Sequence, residues 1–233
     1  MAPQRAEGKA AKVFVVIAAF NEELAIAETV LQVRQYVDDV VVVDDHSIDA
    51  TFEAALQSGA HVVRHPLNLG QGAALQTGIE YALARNADYI VTFDADGQHA
   101  ANEIAGMYRA LVESGAEVAL GSRFLGSANN LSLSRRILLK AAIAFTHLTT
   151  GVGFSDVHNG FRVISRGFAE KFHFQQNRMA HASEILAYIA HKKIPYIEFP
   201  VTVAYTDYSV SKGQRNSNSI RILMELILGK ISK

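Results

Sequence analysis

The sequence predicts an α/β domain built on a mostly parallel sheet flanked by helices, and three features of the chain predict it. Short β-branched runs recur at 13–17, 40–43, 62–63, 89–93 and 118–120. Helically spaced apolar positions fill the intervals: Leu24, Val30, Leu31 and Val33, then Phe52, Ala55 and Leu56, then Leu75, Ile79 and Leu83. Polar segments rich in carboxylates follow the runs. Alternation of this kind is the signature of successive βαβ units, and in such sheets ligands bind beyond the carboxyl ends of the strands.

Each run reads as a buried strand because Val, Ile and aromatic side chains suit a pleated surface covered on both faces. The first, extended to Phe20, ends directly in Asn21-Glu22-Glu23. It is far shorter than the roughly 20 apolar residues a membrane span needs. With 233 residues, 49% of them hydrophobic, the chain can bury one core. The expected organisation is a flexible tail at 1–11 and one domain at 12–233. Lys and Arg total 22 against 23 Asp and Glu, so no global basic surface points to nucleic acid. The absence of cysteine excludes disulfides, thiolate metal sites and a cysteine nucleophile. A cytoplasmic setting is expected, at the inner face of the cell membrane if the basic, apolar helices described below lie on lipid.

The strand ends carry the chemistry. Asp94 and Asp96 leave the fourth run as alternate residues, a spacing that can present two carboxylates to one hard cation such as Mg2+ or Mn2+. Gln98 can add a neutral oxygen. A diphosphate leaving group requires such charge neutralisation as its bond breaks. A competing reading has Asp94 capping the next helix and Asp96-Gly97 making a turn. Asp44-Asp45-His46-Ser47 follows the second run; Ser47 or Asp49 is expected to cap the following helix while Asp45 faces a nucleotide. Asn68-Leu69-Gly70-Gln71-Gly72 precedes a helix and lets backbone approach a ligand closely, or makes a plain turn. Arg123, after Gly121-Ser122, is placed to fork onto phosphate oxygens or to form an ion pair. Arg162 follows a polar loop as a second phosphate candidate or a partner for Asp156. Glu184, three residues after His181 on a predicted helix, is a candidate general base or acceptor-positioning residue, or a surface glutamate.

Two stretches suit a lipid surface, the domain core or a homodimer contact. Arg135, Arg136 and Lys140 border an apolar face formed by Leu133, Ile137, Leu138, Ala141, Phe145 and Leu148. An amphipathic helix is expected at 220–229, after a Ser-, Asn- and Lys-rich segment at 209–219 that is a candidate lid.

Together these motifs resemble family 2 glycosyltransferases with the GT-A (nucleotide-diphospho-sugar transferase) fold, whose nucleotide-binding half is Rossmann-like. The likeness is to the polyprenyl or dolichyl phosphate sugar synthase-like branch and to small bacterial enzymes of surface-polysaccharide assembly. It is carried by Asn21-Glu22, Asp44-Asp45-x-Ser47, Asp94-x-Asp96-x-Gln98-His99, Gly121-Ser122-Arg123 and Gly160-Phe161-Arg162. The resemblance implies that Ala19, Phe20, Glu22, Asp45 and Ala95 line the nucleotide, with Asn68 and Gly70 nearby. It further implies that Asp94, Asp96 and Gln98 hold the metal, and that Arg123 and Lys212 meet phosphates. The implied reaction inverts the anomeric centre as sugar passes from a nucleotide diphosphate donor to a lipid-linked acceptor, a polyprenyl phosphate or a lipid-linked glycan. Ala18 stands where the family usually has proline. The arginine usual before Tyr208-Ser209-Val210-Ser211-Lys212 is missing, with Thr206 near that place and Arg215 a substitute. Two other functions share an acidic α/β nucleotide site. A sugar-phosphate nucleotidyltransferase would want a glycine-rich basic loop where this chain has Phe20-Asn21-Glu22, and a non-catalytic nucleotide-sugar-binding protein would bind without turnover.

Overall fold

The structure, a computed structural model, describes residues 11–178 and 180–205. Most of the expected tail, the expected lid at 209–219, the helix at 220–229, Lys212 and Arg215 lie outside the described residues. The chain runs β1 (Val13–Ala19), α1 (Ile26–Arg34), β2 (Asp39–Asp44), α2 (Thr51–Gln57), β3 (His61–Arg64), α3 (Gln71–Ala84), β4 (Tyr89–Asp94), α4 (Glu103–Ser114), β5 (Val118–Asn129), α5 (Leu133–Thr150), β6 (Arg162–Ser165), α6 (Arg166–Ala169), α7 (His181–Lys192) and β7 (Tyr196–Ala204). The five β-branched runs are all strands.

Among the described residues the strands form one sheet in the order β3-β2-β1-β4-β6-β5-β7. β6 is antiparallel to both of its neighbours, β4 and β5, and the other pairings are parallel. Side chains alternate across β1: Val15 and Ile17 enter a core with Ile26, Val30, Val33, Ile104 and Met107, whereas Phe14 and Val16 enter one with Leu75, Ile79, Ile185 and Ile189. The period of two along strands buried on both faces thus produces a three-layer α/β/α sandwich. Several apolar residues expected inside lie outside: Leu24, Leu31 and Leu56 are exposed, because α1 and α2 turn Ile26, Val30, Val33 and Ala55 inward instead.

From β1 the chain passes to β2 and β3 on one side, then returns to β4 on the other. The strand order therefore reverses between β1 and β4, and open α/β sheets form their ligand-binding crevice at such a reversal, outside the carboxyl ends of the strands. Ala18 pairs with Asp94 and Ala19 with Asp44, so three of the polar strand ends meet at this point.

Candidate functional site

The loops around the crevice are stitched together. Asn21 N–H donates to Ser47 Oγ at 2.8 Å, Ile48 N–H donates to Asn21 Oδ1 at 2.9 Å, and Glu22 N–H donates to Thr51 Oγ1 at 2.7 Å. Asn21 and His46 adopt positive φ, 55° and 66°, to make these turns. Ser47 is thereby taken up by the neighbouring loop; Asp49 Oδ1 accepts from Thr51 N–H at 3.0 Å, but Ala50 stands at the N-cap of α2, so neither Ser47 nor Asp49 caps that helix as expected. Phe20 remains half exposed at the mouth of the crevice.

Asp94, the last residue of β4, is the centre of a polar cluster. Its Oδ2 accepts from His99 Nε2 at 2.9 Å and its Oδ1 lies 3.4 Å from Gln71 Nε2. Burial would raise its pKa, but the bond to His99 and the charges of His99, Arg162 and His181 outweigh that and hold it below the usual value. Asp96 is pushed up to about 6, first by burial and then by the charge of Asp94. Its Oδ1 accepts from Gln98 N–H at 3.1 Å, which folds the turn back on itself, and Gln98 O accepts from Ala204 N–H at 2.9 Å. Among the described residues no third His, Asp or Glu completes a metal-ligand set. Two adjacent carboxylates, one of them destabilised by the other, fit a hard divalent cation that draws its remaining oxygens from a ligand such as a diphosphate. The capping alternative for Asp94 fails, since α4 starts only at Glu103.

Asp45 does not face open crevice. It is buried, with Oδ1 bonded to His65 Nδ1 at 2.8 Å and to Leu69 N–H at 2.9 Å, and Oδ2 bonded to Gly70 N–H at 2.7 Å. Asn68 Nδ2 donates to Asp45 O at 3.1 Å. The side chain thus holds the loop from His65 to Gly70.

The two glycines of that loop accommodate this chain's own backbone. A Cβ at Gly70 would overlap Asn177 O, and one at Gly72 would overlap Gln176 O. Gly72 N–H, at the start of α3, donates to Asn177 O at 2.8 Å. That helix terminus is therefore covered by the 175–178 loop, which explains the glycines without a ligand.

Glu184 is what fixes the covering loop: its carboxylate accepts from Gln175 N–H at 2.9 and 3.1 Å and from Gln176 N–H at 2.9 Å. Of the His181–Glu184 pair it is His181 that turns inward. His181 is buried, its Nδ1 bonds Arg178 O at 2.8 Å, and when protonated it favours the ionised form of Asp94.

Arg123 is buried and bonded to partners within the protein. Its Nε lies 2.6 Å from Asp156 Oδ2, Nη1 donates to Tyr205 Oη at 2.5 Å and Nη2 donates to His158 O at 2.5 Å, all in buried or half-buried surroundings. The expected pairing of Asp156 with Arg162 is thus replaced by one with Arg123. Arg162 is 2% exposed, its Nη1 has no partner among the described residues, and burial lowers its pKa to about 10 against the charges of Asp94 and Asp156.

Tyr205 and His99 are the site residues to which the sequence pattern assigned no role of their own, and it left His181 with none beyond its spacing to Glu184. For His181 a signal existed, since its spacing to Ile185 and Ile189 sets it on the apolar face of α7.

Residues 14–172 match the model of glycosyl transferase family 2. The chain belongs to that family. The glycosyltransferase is 29% identical over 244 residues to UDP-N-acetylglucosamine–dolichyl-phosphate N-acetylglucosaminyltransferase of Methanococcus voltae, covering 95% of this chain and 97% of that one. It is 34% identical over 170 residues to polyprenol monophosphomannose synthase of Mycolicibacterium smegmatis, covering 69% of this chain and 64% of that one. Among solved structures it resembles glucosyl-3-phosphoglycerate synthase from Mycobacterium tuberculosis in complex with Mn2+ and uridine-diphosphate-glucose. The TM-score is 0.69 at 17% identity, over 95% of this chain and 78% of that one. The architecture of the glycosyltransferase is thereby the GT-A fold.

Proposed function

We propose that the enzyme transfers one hexose or deoxyhexose, with inversion, from a nucleoside diphosphate sugar to a polyprenyl-type phosphate at a membrane surface. The reading is carried by Asp94 and Asp96 side by side at the point where the sheet order reverses. Bound there, Mg2+ or Mn2+ would neutralise the departing diphosphate.

The chain's own residues do the rest. The interlocked loops of Ala19–Glu22 and Asp44–Ser47, edged by Ala95, Asn68 and Gly70, form the walls for the nucleotide. The acceptor oxygen attacks the anomeric carbon as the bond to the diphosphate breaks on the opposite face. A phosphate acceptor is already anionic and requires no protein base. This agrees with a Glu184 whose carboxylate is committed to loop amides. The relatives named for dolichyl-phosphate and polyprenol acceptors support the same choice.

The acceptor side is supported by α5. This helix carries no Asp or Glu, exposes Leu133, Ile137 and Leu148, and borders a groove of about 670 Å³ lined in part by Arg136, Lys140, Ile143, Phe124 and Phe154. Cations flanking apolar side chains suit an anionic lipid headgroup and its first carbons. Among the described residues no helix is long and apolar enough to cross a membrane.

The test is transfer from a panel of nucleoside diphosphate sugars to dolichyl or undecaprenyl phosphate, with Mn2+ and with chelator. Lipid-linked sugar should form only with metal, and Asp94→Asn with Asp96→Asn should abolish it. Wild-type turnover in the double variant would overturn the metal reading, and transfer only to sugar hydroxyls would overturn the acceptor.

A further inference from the structure

We infer that His99 is a positioning residue: its Nε2–H bond fixes the rotation of the Asp94 carboxylate, so that a cation meets one preset geometry there. The inference rests on the proposal that Asp94 holds the cation, and it assigns a role to a side chain that no step of the proposed reaction uses.

Asp94 has two side-chain partners, and they are unequal. His99 Nε2 is at 2.9 Å, whereas Gln71 Nε2, at 3.4 Å, is at the limit of a hydrogen bond. Arg162 adds an attraction from the interior: its buried charge acts on Asp94, and its Nη1 has no partner among the described residues. Of these three, only His99 both contacts the carboxylate closely and has a direction. Because a carboxylate oxygen accepts, the proton must sit on Nε2.

His99 is itself held on every side. Its ring packs 5.5 Å from the rings of Phe93 and Phe161, and its backbone bridges to Val203 at the end of β7. The residue is 5% exposed, and its Nδ1 has no partner among the described residues. A buried imidazole with one nitrogen unpartnered and the other on Asp94 has a single polar contact to make. The orientation of a ligand by a hydrogen-bonded neighbour is a general requirement of metal sites, and loss of such a neighbour typically weakens affinity by roughly 10- to 100-fold.

The rival explanation is packing, for which an aromatic ring between Phe93 and Phe161 is enough. Two substitutions separate these. His99→Gln keeps an N–H donor at the same distance along the side chain as Nε2 but loses the ring. His99→Phe keeps the ring and loses the donor. Binding of Mn2+ alone is measured by electron paramagnetic resonance of the free ion, and thermal midpoints are measured on the metal-free proteins. Positioning predicts that His99→Gln binds within a few-fold of wild type and that His99→Phe binds roughly 10- to 100-fold more weakly despite a midpoint near wild type. His99→Leu, also donorless, should follow His99→Phe if the latter does not fold. In wild type, 15N resonances of His99 should report the Nε2–H tautomer. Unchanged Mn2+ binding in His99→Phe, or the opposite ranking of the two variants, overturns the inference. Asp94→Asn is the control: if it binds Mn2+ like wild type, the metal reading of Asp94 fails instead.

Discussion

Gly160 and Asp94 are in contact so close that the glycine can carry no side chain: a Cβ there would overlap both carboxylate oxygens and lie 2.6 Å from Asp94 Cγ. The loop cannot retreat easily, because Thr92 Oγ1 donates to Gly160 O at 2.6 Å. Gly160→Ala should therefore displace the carboxylate while leaving the sheet intact. A misplacement of about 1 Å in a catalytic constellation can cost on the order of 100-fold. Steady-state rates against Mn2+ concentration should show that loss, with circular dichroism unchanged; a variant with wild-type kinetics would mean that Asp94 needs no fixed position.

Arg123 and Asp156 form a buried ion pair that Tyr205 and His158 O complete. Removing one partner of such a pair leaves an uncompensated charge inside and costs about 3–5 kcal/mol. Asp156→Asn and Arg123→Ala should each lower the urea midpoint accordingly. If Arg123 instead served chiefly to bind phosphate, Arg123→Ala would keep its stability and lose donor affinity.

These two cases mark the boundary of what the sequence makes legible. The β-branched runs specify the strands, and their alternation with helices makes β1, β2 and β4 parallel, which brings Asp44 and Asp94 to one end of the sheet. What a strand-end side chain meets depends on loops delivered from far along the chain. Asp45 is claimed by Leu69 and Gly70, Arg123 by Asp156 and Tyr205, and Glu184 by Gln175 and Gln176, each through partners that local spacing does not encode. Periodicity alone distinguishes His181 from Glu184 on α7, because only the histidine shares the stripe of Ile185 and Ile189.

Glu184 should behave as a loop anchor. Glu184→Ala removes the acceptor for the amides of Gln175 and Gln176, at a cost of about 1–3 kcal/mol for charge-assisted bonds. Hydrogen exchange in 175–178, and at Gly72, which donates to Asn177 O, should quicken. Glu184→Gln retains one oxygen and should keep both donor binding and transfer to lipid phosphate. Loss of turnover in Glu184→Gln with normal donor affinity would instead make Glu184 the base for a hydroxyl acceptor.

His181 makes stability depend on pH. Its pKa falls from 6.5 to about 4, first through burial and then through the charge of Arg162, against the opposing effects of its bond to Arg178 O and of Asp94. The groups acting on it are therefore Arg162 from β6, Asp94 from β4 and His158 from the preceding loop. Above pH 6.5 the ring is neutral in both folded and unfolded chains, and its contribution is complete. As pH falls toward 4 the unfolded chain takes up a proton that the folded one refuses, so stability drops. Below 4 both are protonated and the loss levels off, at on the order of 3 kcal/mol for this one group. Burial likewise lowers the pKa of His158 to about 4, so it titrates over the same window and steepens the wild-type curve. Urea midpoints of the metal-free protein between pH 7 and 4 should therefore decline, and His181→Gln should flatten the decline by about one proton's worth of slope. An identical pH profile in His181→Gln would show that this histidine is not held neutral in the fold.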